Sequence, residues 1–117
     1  MLNNKHYFRV TRLGDKQEFK QVFADSTKKC GDQYFFILAR ENNLGYPRLG
    51  MAVSKKKIKR AVRRNLIKRI IREQFRLHQH QLPAVDMVVM AKVALCHCEK
   101  STIHQALGSL WLRLGLQ

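Results

Sequence analysis

"KKKIKRAVRRNLIKRIIREQFR", residues 55–76, carries eleven of the chain's lysines and arginines and one acid, Glu73. At 3.6 residues per turn, positions 58–76 separate into two sides. Val62, Leu66, Ile67, Ile70 and Ile71 occupy the apolar side. Arg64, Lys68, Arg72 and Arg76 form an i, i+4 ridge opposite, flanked by Asn65 and Arg69, within an arc of roughly 140°. The pattern predicts one long helix, beginning somewhere after Ser54 and reaching about Arg76–His80, ahead of Pro83. Like charges at i, i+4 cost about 0.2–0.5 kcal/mol per pair, so the ridge is locally unfavourable until an anion sits against it. Lys55, Lys56, Lys57, Lys59 and Arg60 are expected to crowd the positive end of the helix dipole, where backbone N–H groups already favour phosphate.

Outward from this helix the remaining elements follow. Asp15 and Glu18 have the spacing of a capping box, so a short helix is expected with Phe19, Val22 and Phe23 on one apolar stripe. "STKKCGD" reads as a loop. "QYFFILAR" (33–40) reads as a strand with two apolar faces: Tyr34, Phe36 and Leu38 on one, Phe35, Ile37 and Ala39 on the other. One face should pack on helices, and the other is either buried as well or open to a ligand. Asn42, Asn43, Gly45 and Pro47 make a turn into a second strand, "RLGMAV", placed to pair antiparallel with the first. "VDMVVMAK" gives a third strand. Ser101 then caps a helix whose Ile103, Leu107, Leu110, Trp111 and Leu114 face the core. The layout is an α+β sandwich.

At 117 residues the chain has the size of a single domain, 1–117, with the basic first ten residues expected to be mobile. Its 23 Lys+Arg against 8 Asp+Glu give a net charge of +15, which calls for a polyanionic partner: nucleic acid first, an anionic membrane second. No apolar run is long enough to span a bilayer and the N-terminus lacks a signal-peptide pattern, so a cytoplasmic protein with reduced Cys30, Cys96 and Cys98 is expected. Cys96-His97-Cys98 with His104 lacks the paired spacing of a structural zinc site, and His78 and His80 do not share a helical face. These read as loop, cap and core residues, with no metal site. The eight acids are scattered, whereas metal-dependent phosphodiester cleavage needs carboxylates in a cluster. An active site within the protein is therefore not expected. The cations bind and position, and a partner supplies the chemistry.

"RRNLIKRIIREQFR", together with "YFRVTRL", "EFKQVF", "GYPRLGMAVSKK", "LPAVDMVVMAKV" and "ALGSLWLRL", resembles the protein component of bacterial ribonuclease P over almost the whole chain. The resemblance implies a two-layer αβββαβα sandwich with a left-handed βαβ crossover. It implies the protein subunit of a ribonucleoprotein endonuclease that removes the 5′ leader of precursor tRNA, with hydrolysis performed by a catalytic RNA and its Mg²⁺. Arg64, Asn65, Lys68, Arg69 and Arg72 match the motif that lies against the catalytic RNA, and Lys56 and Arg60 extend it. Lys55 and Arg76 complete that surface by charge. Leu66 stands where the motif has its second arginine, on the apolar side of the wheel. Phe19, Phe23, Phe35 and Ile37 match a cleft for the single-stranded leader, with Arg64, Asn65 and Lys68 beside it. Unpaired bases stack on aromatic faces, which suits this chemistry. No membrane and no obligate protein partner is inferred. The alternative is a structural RNA-binding protein of ribosomal type, which needs no leader cleft. A DNA-binding regulator is a third reading, opposed by the lack of a second short helix ahead of the basic one.

Overall fold

A computed structural model describes residues 16–116, with side chains from Lys20 to Gly115. The first ten residues, the Asp15 cap and the side chains of Glu18 and Phe19 lie outside the described residues. The elements in order are α1 (Lys16–Asp25), β1 (Lys28–Gly31), β2 (Phe35–Glu41), β3 (Arg48–Ala52), α2 (Ala61–His78), β4 (Val85–Ala91) and α3 (Lys100–Leu116). Short 3₁₀ turns at Gln79–Gln81 and Val93–Cys96 follow α2 and β4.

The four strands form one sheet in the order β1-β2-β4-β3. β2 does not pair with β3, as adjacency in sequence suggests; β4 lies between them, antiparallel to β2 and parallel to β3. A parallel neighbour requires a crossover, and α2 is that connection. β4 is buried along nearly its whole length, which matches its continuous apolar run. The stretch "STKKCGD" is also not a loop: Lys28–Gly31 is an edge strand pairing antiparallel with β2. With one apolar residue, Cys30, it carries no alternating signal, and its lysines are typical of edges that must not recruit another strand.

The two long helices cover one face of the sheet. Ile67, Ile70, Ile71 and Phe75 of α2 and Ile103, Leu107, Leu110, Trp111 and Leu114 of α3 join Phe35, Ile37, Leu49, Met87 and Val89 in one core cluster. Phe75 and Trp111 meet edge to face, with centroids 6.4 Å apart at 71°. On the opposite face α1 places Val22 against Val88, packed with Leu38, Ala52 and Met90. Val62, assigned by its spacing to the apolar side of the helix, is exposed, and Leu66 only partly packs on the core. In the first turn of α2 it is Arg63 rather than Val62 that turns toward the protein, donating to Leu95 O.

Asp86 organises the turn between β2 and β3. It is 4% exposed, and it accepts hydrogen bonds from Arg48 Nε and Nη2 at 2.8 and 2.7 Å and from Asn42 Nδ2 at 2.9 Å. Asn42 Nδ2 also donates to Tyr46 O, and its Oδ1 accepts from Leu44 N, closing a loop that runs through Asn43 (φ 59°) and Gly45 (φ 84°). Burial pushes the Asp86 carboxyl up, but the hydrogen bonds from Arg48 and Asn42 and the charges of Arg48 and Arg40 outweigh it and hold the group below the ordinary aspartate value. A depressed native value means that this stabilisation is present above the unfolded value of about 3.9 and is lost as pH falls through the native one. Asp86→Ala should cost roughly 3 kcal/mol in urea unfolding at pH 7, by removing the buried carboxylate to which Arg48 and Asn42 donate. The gap to the parent protein should narrow at pH 3.

Candidate nucleic-acid interface

α2 begins at Ala61, so Lys55–Arg60 lie ahead of the helix rather than in its first turn. Ser54 Oγ and O accept from Lys57 N (3.2 Å) and Ile58 N (2.9 Å), folding a turn that buries Ile58 to 1% exposure. Burying Ile58 turns the lysines around it outward. Extending the helix through 55–60 would instead have stacked five cations over its positive end.

Within α2 the core stripe dictates the orientation of the rest. With Ile67, Ile70, Ile71 and Phe75 buried, Asn65 and Arg69 are exposed, and Arg64, Lys68, Arg72 and Arg76 are half-buried at its margin. Two of the cations have internal duties. Arg64 Nη1 donates to Ile58 O (2.9 Å) and Lys59 O (2.8 Å), bracing the lysine turn. Arg76 pairs with Glu73 at 2.6 Å, an exposed i, i+3 contact whose hydrogen bond lowers the Glu73 carboxyl. Lys68, Arg69 and Arg72 pair with no acid among the described residues, nor do Lys55, Lys56 and Arg60. Arg63, which the wheel left unassigned, turns inward to donate to Leu95 O at 2.8 Å and to Cys98 O.

The proposed aromatic cleft needs correction. Phe35 and Ile37 are both fully buried, on the β2 face that packs against α2 and α3, and no base can stack on them. The opposite parity is the accessible one: Phe36 and Leu38 are partly exposed, paired in register with Met90 and Val88 of β4, which in turn neighbour Ala52 and Gly50 of β3. Phe23 is half exposed on α1, whose Val22 docks on this same face. Arg40 Nη1 donates to Gln21 Oε1 at 3.0 Å and fastens the sheet to α1. The open surface is therefore Phe36, Leu38, Met90 and Ala52 with Phe23 at its margin. A signal for it was present in the strands. Arg40, Arg48 and Asp86 share the parity of Phe36, Gly50 and Val88, so each of three strands carries a charge on one and the same face.

Three of the described carboxylates have partners within the protein. Asp32 accepts from the N–H groups of Tyr34 and Phe35, Asp86 holds Arg48 and Glu73 holds Arg76, so these carboxylates are engaged with the protein. Among the described residues no three of His, Cys, Asp and Glu come together as a metal site. No helix among them is long and apolar enough to cross a membrane.

Residues 8–115 match the family model described as Ribonuclease P. The chain is 47% identical over 112 residues to the ribonuclease P protein component of Aliivibrio fischeri, covering 96% of this chain and 95% of that one. It is 41% identical over 113 residues to that of Chromohalobacter salexigens, covering 97% and 88%. Its structure is similar to that of the Staphylococcus aureus RNase P protein, with a TM-score of 0.80 at 28% identity over 90% of this chain and 94% of that one. With a basic helix turned outward, an open apolar sheet face and relatives of this kind along nearly its whole length, the chain belongs to the ribonuclease P protein family.

Proposed function

We propose that the outward side of α2 and the open face of the sheet handle two different parts of one RNA reaction. The chain is the protein subunit of ribonuclease P, the endoribonuclease that trims precursor tRNA. The ridge of Lys68, Arg69 and Arg72, extended by Arg60, Lys56 and Lys55, lies against the catalytic RNA, where phosphates neutralise the like-charge repulsion. The sheet face carries the single-stranded 5′ leader, with Phe36 and Phe23 as stacking platforms in place of Phe35 and Ile37. The observation that carries this reading is the run of unpaired cations on one side of a helix whose other side is core. In this reading Mg²⁺ is bound mainly by the RNA partner: Asp32, Glu73 and Asp86 are engaged with the protein's own backbone and arginines, and the described residues bring no three metal-ligating side chains together. The reaction takes place in the cytoplasm. A ribosomal-type role is disfavoured, because the relatives along the full length are ribonuclease P protein components.

Lys68→Ala with Arg72→Ala should weaken binding to the catalytic RNA and reduce the slope of log K against log salt by about 0.7–0.9 per lost phosphate contact, measured by filter binding between low and moderate salt. An unchanged slope would remove the ridge from the interface. Arg64→Ala should show a smaller slope change and a stability loss, because its guanidinium already serves Ile58 O and Lys59 O.

Phe36→Ala should reduce holoenzyme affinity for leader-bearing precursor by about tenfold, the loss of one stacking contact, and leave affinity for mature tRNA unchanged. Phe35→Ala should instead lower the stability of the free protein by roughly 3–5 kcal/mol, as a cavity in the core. If Phe35→Ala were stable and selectively lost the leader, the face assignment would be reversed.

A further inference from the structure

A second concave site lies away from the sheet's open face. β3 and β4 are parallel neighbours, so the segments that leave their C-terminal ends emerge side by side. One is the lysine turn leading to α2, and the other is the 3₁₀ turn Val93–Cys96. Between them is a pocket of about 400 Å³ with an apolar floor of Ile58, Val93 and Cys96. Its rim carries Lys56, Lys57, Lys59 and Arg60. The side chains of these four pair with no acid among the described residues.

The walls are tied in place while the rim is left free. Arg63 donates from α2 to Leu95 O and Cys98 O, Cys96 Sγ donates to Lys57 O at 3.3 Å, and Arg64 holds Ile58 O and Lys59 O. Five hydrogen bonds thus join the two segments and the start of α2, so the pocket exists before any ligand arrives and ordering it costs little on binding. Val93 is 60% exposed, an apolar side chain left in solvent amid lysines. An apolar floor with a cationic rim suits a ligand that is flat and apolar at its centre and anionic on both sides. An unstacked nucleotide has that form.

We propose that this pocket receives one unpaired nucleobase of the catalytic RNA, with the phosphates on either side held by Lys56, Lys57, Lys59 and Arg60. The inference rests on the ridge being the catalytic-RNA surface. Arg60 stands one helical turn before Arg64, so the pocket rim and the ridge run on as one cationic path and serve the same strand. The leader, on the other face of the sheet, is not its occupant.

The test is base-edge chemical probing of the catalytic RNA, free and bound to the full-length protein, beside Val93→Gln. That variant replaces one of the pocket's three apolar side chains with a longer polar one without changing charge, at an exposed position where folding is checked by its urea midpoint. The expected result is one unpaired nucleotide protected by the parent protein and reactive again with V93Q. V93Q should bind about tenfold more weakly, with an unchanged salt slope because no phosphate contact is lost. Parent-like affinity and footprint for V93Q would overturn the pocket and leave the ridge standing. With leader-bearing precursor tRNA added to the same probing, protection of a leader nucleotide that V93Q abolishes would overturn the choice of the catalytic RNA as occupant. Absence of any footprint from the parent protein would overturn both this inference and the proposed function beneath it.

Discussion

The burial of one side of α2 is the constraint on which the rest depends. Ile67, Ile70, Ile71 and Phe75 are between 0% and 4% exposed, and each contributes on the order of 1.5–3 kcal/mol by leaving water. The i, i+4 repulsions along the ridge cost about 0.2–0.5 kcal/mol per pair, so the core wins by a wide margin. The helix can satisfy that core in only one rotation about its axis. Lys68, Arg69 and Arg72 are thereby held at the surface as a rigid line of charge, whatever their mutual repulsion. A functional surface built on a helix in this way is fixed to the accuracy of the core beneath it.

β4 makes the second division. Because it pairs with β2 on one side and β3 on the other, it carries apolar side chains on both faces and lets the sheet be covered unequally. Two long helices seal the face of Phe35 and Ile37. The short α1 packs Val22 on the other face, where Phe36 and Leu38 remain partly exposed. The same parallel pairing of β3 and β4 brings together the lysine turn and the Val93–Cys96 turn. One topological choice thus creates both the open face and the cationic pocket. The Arg48–Asp86–Asn42 network stands at the other end of these strands and holds the β2–β3 connection in shape.

How much of this was legible varies with the kind of signal each element carries. The two sides of α2 and the stripe of α3 were readable, since a 3.6-residue period sorts apolar from charged positions without any knowledge of the partner element. α2 begins later than its charge pattern suggested because Ile58 found a place in the core that a continuous helix would have denied it. β1 was unreadable as a strand, having one buried side chain and its hydrogen bonds on a single side. The faces of β2 were ambiguous because both are apolar, and the resemblance directed attention to Phe35 and Ile37. The charges at Arg40, Arg48 and Asp86 give the correct parity once the strands are aligned, and alignment is what a single strand cannot supply.

The amino-acid order by itself determined the local periods, the charge, the single-domain size and the family, because each of these is written in residues near one another or in composition. Tertiary structure alone decided the strand order, the face on which Phe36 rather than Phe35 is accessible, and the meeting of Lys57 with Cys96. Those depend on contacts between residues tens of positions apart, and their outcome is settled by which arrangement buries the most apolar surface while leaving the fewest charges unpaired inside.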